Sequence, residues 1–324
     1  MRSAIKSVLK RFARLFDVPL AVLVVPASMI MRSVRQIGVQ RLPLCRKILE
    51  AVGVFPIRDH YYEPQFTFRP GAERLCAERK LPGIDWNIDE QRDLVRKLRY
   101  ASELRGIDAS ATKEGVFHWD NDSFGAIDAG FLYQFIRLHK PRTVMEIGSG
   151  YSTLIARRAL EKNRLETPEN ESRHVCVEPF EMPWLESAGV EVIRQRVEDI
   201  GVDAFSGLRS GDLLFIDSSH VIRPRGDVLF EYLELLPVLA KGVFVHIHDI
   251  FTPRNYPKRF VIDEVKLWNE QYLLEAFLTE NNRWKIVAAL NYLQHNFSRD
   301  LLAISPAASE SEEPGSIYIQ RIMA

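Results

Sequence analysis

Cysteine is scarce in this chain. Cys45, Cys76 and Cys176 are an odd number, widely spaced, with no CxxC pair. That excludes a disulfide framework and a zinc ribbon, and fits free thiols in a reducing compartment. Net charge is missing too: 43 Lys and Arg balance 43 Asp and Glu, which excludes a uniformly basic nucleic-acid binder. A long hydrophobic run is also lacking. Val18–Met31 is uncharged and apolar over 14 residues, whereas a spanning helix needs about 20. Pro19 and Pro26 argue against a straight helix there. Met1–Asp17 reads as too long and patterned for a secretory leader.

What is present is a body able to fold. The 324 residues are 46% hydrophobic and 10% aromatic, enough for a sizeable core in one large domain or two ordinary ones. The zero net charge hides an asymmetry, because residues 1–47 hold ten basic side chains against Asp17 alone. In that segment Ile5, Val8, Leu9, Phe12 and Phe16 recur at helical spacing, with Lys6, Lys10, Arg11 and Arg14 largely elsewhere. Two readings stay open: a basic amphipathic arm touching an anionic membrane through residues 1–47, or a helical hairpin packed on the body. The expected location is cytoplasmic, at the inner face of the membrane in the first reading.

Residues 52–86 carry Phe55-Pro56, His60-Tyr61-Tyr62, Pro70-Gly71 and Pro82-Gly83, the punctuation of an extended connection. Asn87 with Glu90 predicts a capped helix start, followed by Leu94, Leu98, Ala101 and Leu104. From residue 124 helix and strand alternate. Helices are predicted over 126–139, 152–161 and 228–239, and strands over 143–147, 174–177, 191–194, 213–216, 243–247 and 285–290. Residues 316–322 read as an antiparallel edge strand. The alternation predicts an α/β, doubly wound, mostly parallel sheet.

In such a sheet ligands bind beyond the carboxyl ends of the strands. The first strand ends Glu146-Ile147-Gly148-Ser149-Gly150-Tyr151-Ser152-Thr153. Thr153 stands where a dinucleotide fingerprint has its third glycine, which argues against NAD and FAD. Glu178 ends the next strand, where a carboxylate accepts both hydroxyls of a ribose. Asp199, Asp217 and Asp249 stand at or just past the following strand ends. Such a rim repels a pyrophosphate and suits a cationic sulfonium nucleoside.

The segment Phe124–Asp249 resembles class I S-adenosylmethionine-dependent methyltransferases, with their Rossmann-like sheet. It is most similar to a bacterial group with FG-x-x-DA, EIGSGYST, EP, IDSSH and VHxHDIF motifs, matched here by residues 124–129, 146–153, 178–179, 216–220 and 245–251. Residues 268–273 (WNEQYL) also look like that group. The resemblance implies that Glu146, Gly148, Ser149, Gly150 and Ser152 hold the amino-acid end of S-adenosylmethionine. Glu178 would take the ribose, Val197 and Glu198 would flank the adenine, and Trp119–Ser123 would close over the cofactor or cap a helix through Ser123 or Asp122.

Asp217 and His220 look like the Asp-x-x-His pair of macrolide-sugar O-methyltransferases, a metal ligand and a general base, and Asp217 is also expected beside the cofactor. Catechol O-methyltransferases place their metal similarly. The resemblance thus implies a divalent cation, magnesium or manganese, on Asp217, His248 and Asp249. This chain departs from those relatives in having His248 where they carry an acid or amide, and histidine suits softer metals. His246 reads as a core residue, and His220 as a base of ordinary pKa, about 6.5. The expected organisation is a helical arm over 1–51, a connection and helix over 52–114, and a class I methyltransferase domain over 115–324. The expected activity is O-methylation of a small-molecule or glycan hydroxyl, with N-methylation or a non-catalytic cofactor-binding protein at a membrane as alternatives.

Overall fold

Seven apolar runs pair into one sheet in the order β3-β2-β1-β4-β5-β7-β6. They are β1 (Thr143–Ile147), β2 (Arg173–Val177), β3 (Glu191–Ile193), β4 (Leu213–Ile216), β5 (Phe244–Ile247), β6 (Trp284–Ala289) and β7 (Ile317–Arg321). The computed structural model describes residues 13–58, 60, 62–64, 76–110, 113–169 and 171–323. The chain divides into two units, residues 1–72 and 73–324.

Strands β3, β2, β1, β4 and β5 are parallel, and β7 is antiparallel to both β5 and β6. The C-terminal strand is therefore antiparallel as expected, but β6 rather than β7 forms the edge. Both faces are covered, as a parallel sheet requires. Met145, Ile147, Leu214, Ile216, Val245 and Ile247 face one core. Val144, Leu213, Phe215, Phe244 and Tyr318 alternate onto the other.

The helices named here are α1 (Ala13–Ile37), α2 (Pro43–Val52), α3 (Ile88–Lys97), α4 (Ala126–His139), α5 (Tyr151–Glu166), α6 (Val197–Ile200), α7 (Asp227–Phe230), α8 (Glu270–Leu278) and α9 (Leu290–Leu302). Four sequence expectations need correction. First, α1 runs unbroken through Pro19 and Pro26 for 25 residues. Second, Asn87 adopts a left-handed conformation and makes no side-chain cap, so α3 begins without the capping box. Third, the single helix expected over 228–239 is α7, then a π turn (Glu231–Leu235) and a 3-10 turn (Leu236–Val238). Fourth, Asp199 lies exposed on α6 rather than at a strand end. The amphipathic pattern over 1–17 falls mostly on residues 1–12, outside the described residues.

The carboxyl ends of β1 and β4 meet where the strand order reverses, and this switch point is where a doubly wound sheet opens a crevice.

Candidate active site

The crevice starts at Gly148, whose φ is 79°. A Cβ there would overlap the Asp217 carbonyl oxygen, so only glycine lets the two strand ends approach. The Gly148 amide donates to the Val177 carbonyl at 3.0 Å and the Asp217 amide to that of Ile147 at 2.8 Å. Behind the turn, the Glu146 carboxylate pairs with the His174 ring and accepts from the hydroxyls of Thr153 (2.8 Å) and Ser152 (3.3 Å). The Gly150 amide donates to Thr153 Oγ1 at 3.1 Å. Glu146, Gly150 and Ser152 thus fix the start of α5 and are not among the residues lining the cavity.

That cavity has a volume of about 330 Å³ and is lined by Gly148, Glu178, Phe180, Val197, Glu198 and Asp217, among others. Glu178 is held by three backbone amides, from Phe180 (2.9 Å), Glu181 (2.8 Å) and Ser149 (3.3 Å). An ionised carboxylate offers about four lone-pair sites, so Glu178 is oriented with accepting capacity to spare. The structure therefore gathers five of the residues expected at a cofactor site, with Ser149 one bond away. Ser218 and Ser219 of the IDSSH motif also line the cavity, as do Arg196 and Arg223, which no spacing in the sequence marks.

Beyond the cavity, the ends of β4 and β5 bring two carboxylates and two imidazoles together. His220 Nε2 lies 3.3 Å from Asp217 Oδ1 and 3.5 Å from Asp249 Oδ2. His248 Nδ1 lies 3.5 Å from Asp217 Oδ1, and its Nε2 lies 4.0 Å from the buried Asp128. His220 and Asp249 are held at φ 59° and 56°, left-handed values that cost a non-glycine residue about 1–3 kcal/mol. Strain kept at two adjoining rim residues marks a site that the surrounding fold has to hold in place.

Glu270 does part of that holding, and sequence reasoning missed its role. Its carboxylate lies 2.8 Å from His220 Nδ1 and accepts from the Tyr232 hydroxyl at 2.9 Å. The amides of Asn269 and Glu270 donate to the His220 carbonyl (2.9 and 3.2 Å), which docks the start of α8 on this loop. The Trp268 ring covers the imidazole, with centroids 4.4 Å apart. The only sequence signal was the WNEQYL segment itself, 50 residues downstream of His220.

These neighbours change the electrostatics expected from the sequence. Burial opposes a charge on His220, yet Asp217, Glu270 and Asp249 outweigh it and push its pKa well above 6.5. His220 is therefore not the ordinary imidazole that its loop position predicts. His248, also buried, is raised to about 9 by Asp249, Asp217 and Asp128. Burial likewise opposes ionisation of Asp217, but the two imidazoles hold its pKa well below the usual carboxylate range. The carboxylates around the rim thus favour the protonated form of both imidazoles. Asp217, His248 and Asp249 each offer one donor atom, all within 4.8 Å of one another, an arrangement able to hold a metal ion.

Two neighbouring expectations resolve differently. His246 is a core residue: it is fully buried, contacts Ser316 Oγ at 2.8 Å and stacks on Tyr318. The loop before α4 is tied by Asn121, whose Oδ1 accepts from the Phe124 amide at 2.7 Å, rather than by Ser123 or Asp122. The Ile127 amide in the first turn of α4 donates to Glu312 at 2.7 Å.

Comparison with known proteins adds four similarities. An uncharacterized protein of Archaeoglobus fulgidus is 25% identical over 170 residues, 48% of this chain and 74% of its own. An O-methyltransferase from Bacillus cereus, solved in complex with SAH, is 17% identical with a TM-score of 0.37, over 72% of this chain and 91% of that one. A putative methyltransferase from Thermobifida fusca is 12% identical with a TM-score of 0.33, over 62% and 84%. Residues 145–250, from the glycine turn through Glu178 to the Asp217–Asp249 rim, match the model of a family described as a methyltransferase domain.

Proposed function

We propose that this chain transfers a methyl group from S-adenosylmethionine to a hydroxyl of a small molecule or glycan. The observation that carries this reading is the adjacency of two parts. One is a nucleoside-sized cavity with the oriented Glu178 carboxylate, and the other is the rim of Asp217, His220, His248 and Asp249. S-adenosylmethionine supplies an electrophilic methyl on a sulfonium, so reaction needs an acceptor oxygen aligned behind that methyl and a place for its proton. Glu178 would accept the ribose hydroxyls, while Val197 and the Glu198 backbone would wall the base. Asp217, lining the cavity and facing the rim, would attract the sulfonium charge.

At the rim, His220 Nε2, once it has given up its own proton, would take the acceptor proton, with Nδ1 held by Glu270 and Glu270 held by Tyr232. Positioning of this kind supplies most of the acceleration in an in-line displacement, and a placed base adds about 10²–10⁴-fold. A divalent cation fits Asp217, His248 and Asp249, whose donor atoms lie within 4.8 Å of one another, once His248 gives up its proton. Bound, it would supply Lewis-acid polarisation of the acceptor oxygen and positive charge that otherwise resides on the imidazoles. His248 favours manganese or a softer ion over magnesium.

Titration calorimetry with S-adenosylmethionine, its demethylated product and NAD tests the cofactor reading. Binding of the first two and not of NAD supports it, and silence with all three sinks it. Transfer of labelled methyl into fractionated cell extract then tests the acceptor. Label in alkali-stable methyl ethers supports oxygen transfer, whereas label in methylated amines moves the reading to N-methylation.

A further inference from the structure

We infer that residues 13–58 seat this chain in a lipid bilayer through two elements, a spanning helix over Leu15–Val34 and an interfacial helix, α2. Length is the first argument. Residues 15–34 hold only Asp17 and Arg32 as charges, and twenty helical residues rise about 30 Å, the thickness of the hydrocarbon core.

The pattern of exposure is the second. Val22, Leu23, Val24 and Val25 are consecutive, and each is more than half exposed. Four successive residues at 100° intervals cover every side of a helix, so the middle of α1, residues 18–27, has no polar side chain to turn to water; Arg14, Asp17, Ser28, Arg32 and Arg35 share one side only toward its two ends. None of its most apolar stretch is buried within the protein. An interfacial helix or one laid in a partner's groove keeps a polar side, whereas a helix apolar all round belongs in a core or a membrane. On one side Val24, Ala27 and Met31 share a cavity with Val54, Pro56 and Ile57; the occupant that covers the remaining sides at once is lipid. Pro19 and Pro26 inside the helix are tolerated in such spans.

The ends support the same placement. Burial resumes at Val34, and Arg35 forms a two-bonded ion pair with Glu63 at 2.8 Å, so protein packing begins where the hydrocarbon would stop. Arg14 before the run and Arg32 at its end can extend to the headgroup layers.

The next helix then changes character. In α2, Leu44, Ile48 and Val52 recur at a four-residue interval and are all more than 60% exposed, while Leu49 on another side is buried. Arg46 and Lys47 are both exposed on the other sides, Arg46 paired with Glu50 at 2.7 Å. One apolar stripe with basic flanks is the form of a helix lying in the headgroup boundary.

The test uses the full chain expressed in cells and recovered in the membrane fraction. Resistance to alkaline carbonate together with an intact N-terminal mass is the expected result. In the double variant Leu23→Glu, Val25→Glu, whose side chains touch little of the protein, most of the chain should leave the carbonate-resistant pellet. Leu23→Ala, Val25→Ala should stay in it. For α2, an environment-sensitive probe at Ile48→Cys should shift to the blue with vesicles of phosphatidylcholine and phosphatidylglycerol, and one at Glu50→Cys should not. A chain cleaved behind residue 31 would make the segment a leader and overturn the proposal. So would full extraction by carbonate, or a detergent-free oligomer that hides α1 against copies of itself.

Discussion

Glu270 shows how the site depends on residues that do not touch the ligand. It holds His220 in place and raises its pKa at the same time, and these two effects separate in a pH profile. Glu270→Gln should lower the turnover plateau while leaving cofactor affinity nearly unchanged, because the imidazole is less firmly held. The rising limb of kcat/KM should move to lower pH, since removing a carboxylate favours the neutral base. A plateau loss without any shift of the limb would mean that another group carries the titration. Glu178 makes the complementary prediction. Its carboxylate is already ordered by three amides, so Glu178→Ala should cost about 1.5–3 kcal/mol of cofactor binding through lost charge-assisted hydrogen bonds. Calorimetry showing unchanged affinity would remove it from the ribose. Neither the role of Glu270 nor the place of Arg196 in the cavity lining was legible in the sequence. A residue 50 positions from its partner leaves no local spacing to read, whereas Glu178 and Asp217 end apolar runs and announce themselves.

At the scale of elements the sequence was most readable where strands are buried on both faces. Residues 143–147 and 213–216 emerged with the bounds the structure has, because a short apolar run ended by glycine or aspartate has few other readings. Residues 228–239 were less so, since apolar spacing persists through the π turn that interrupts the α-helical hydrogen bonding. In α1 the prolines were overweighted: a proline removes one intrahelical bond, but a long apolar helix survives two. The start of α4 carries a hidden pH dependence. Burial pushes Glu312, which accepts from the Ile127 amide, up to about 7, with Asp128 adding to the rise. A carboxyl whose folded pKa lies above its unfolded value favours the folded state while protonated. Stability should therefore be full below pH 4.5 and decline as pH rises to about 7. The loss is at most about 3 kcal/mol. Glu312→Gln keeps an acceptor for the amide and should flatten that slope in denaturant titrations across this window. An unchanged slope would place the titrating group elsewhere.

For the whole molecule, zero net charge conceals two oppositely charged parts, with residues 1–47 at +9 and the remaining 277 at −9. The division into units at residue 72 leaves every strand of the sheet in the second unit. Every residue proposed for chemistry, from Glu146 to Glu270, also lies there, as do both hydrophobic cores. The first unit supplies the exposed apolar helix, and on the inferred membrane seating each of its basic residues near an anionic surface would contribute about 1 kcal/mol. A chain beginning at Cys76 should consequently unfold in one cooperative transition and bind S-adenosylmethionine within about twofold of the full chain. It should also stay in the supernatant with anionic vesicles at low salt, because the acidic body is repelled by the surface that attracts the arm. Calorimetry and sedimentation read these outcomes separately. A shortened chain that melts without cooperativity would show that residues 1–75 are part of the folding unit, and one that still pellets with vesicles would place the membrane contact on the sheet-bearing body instead.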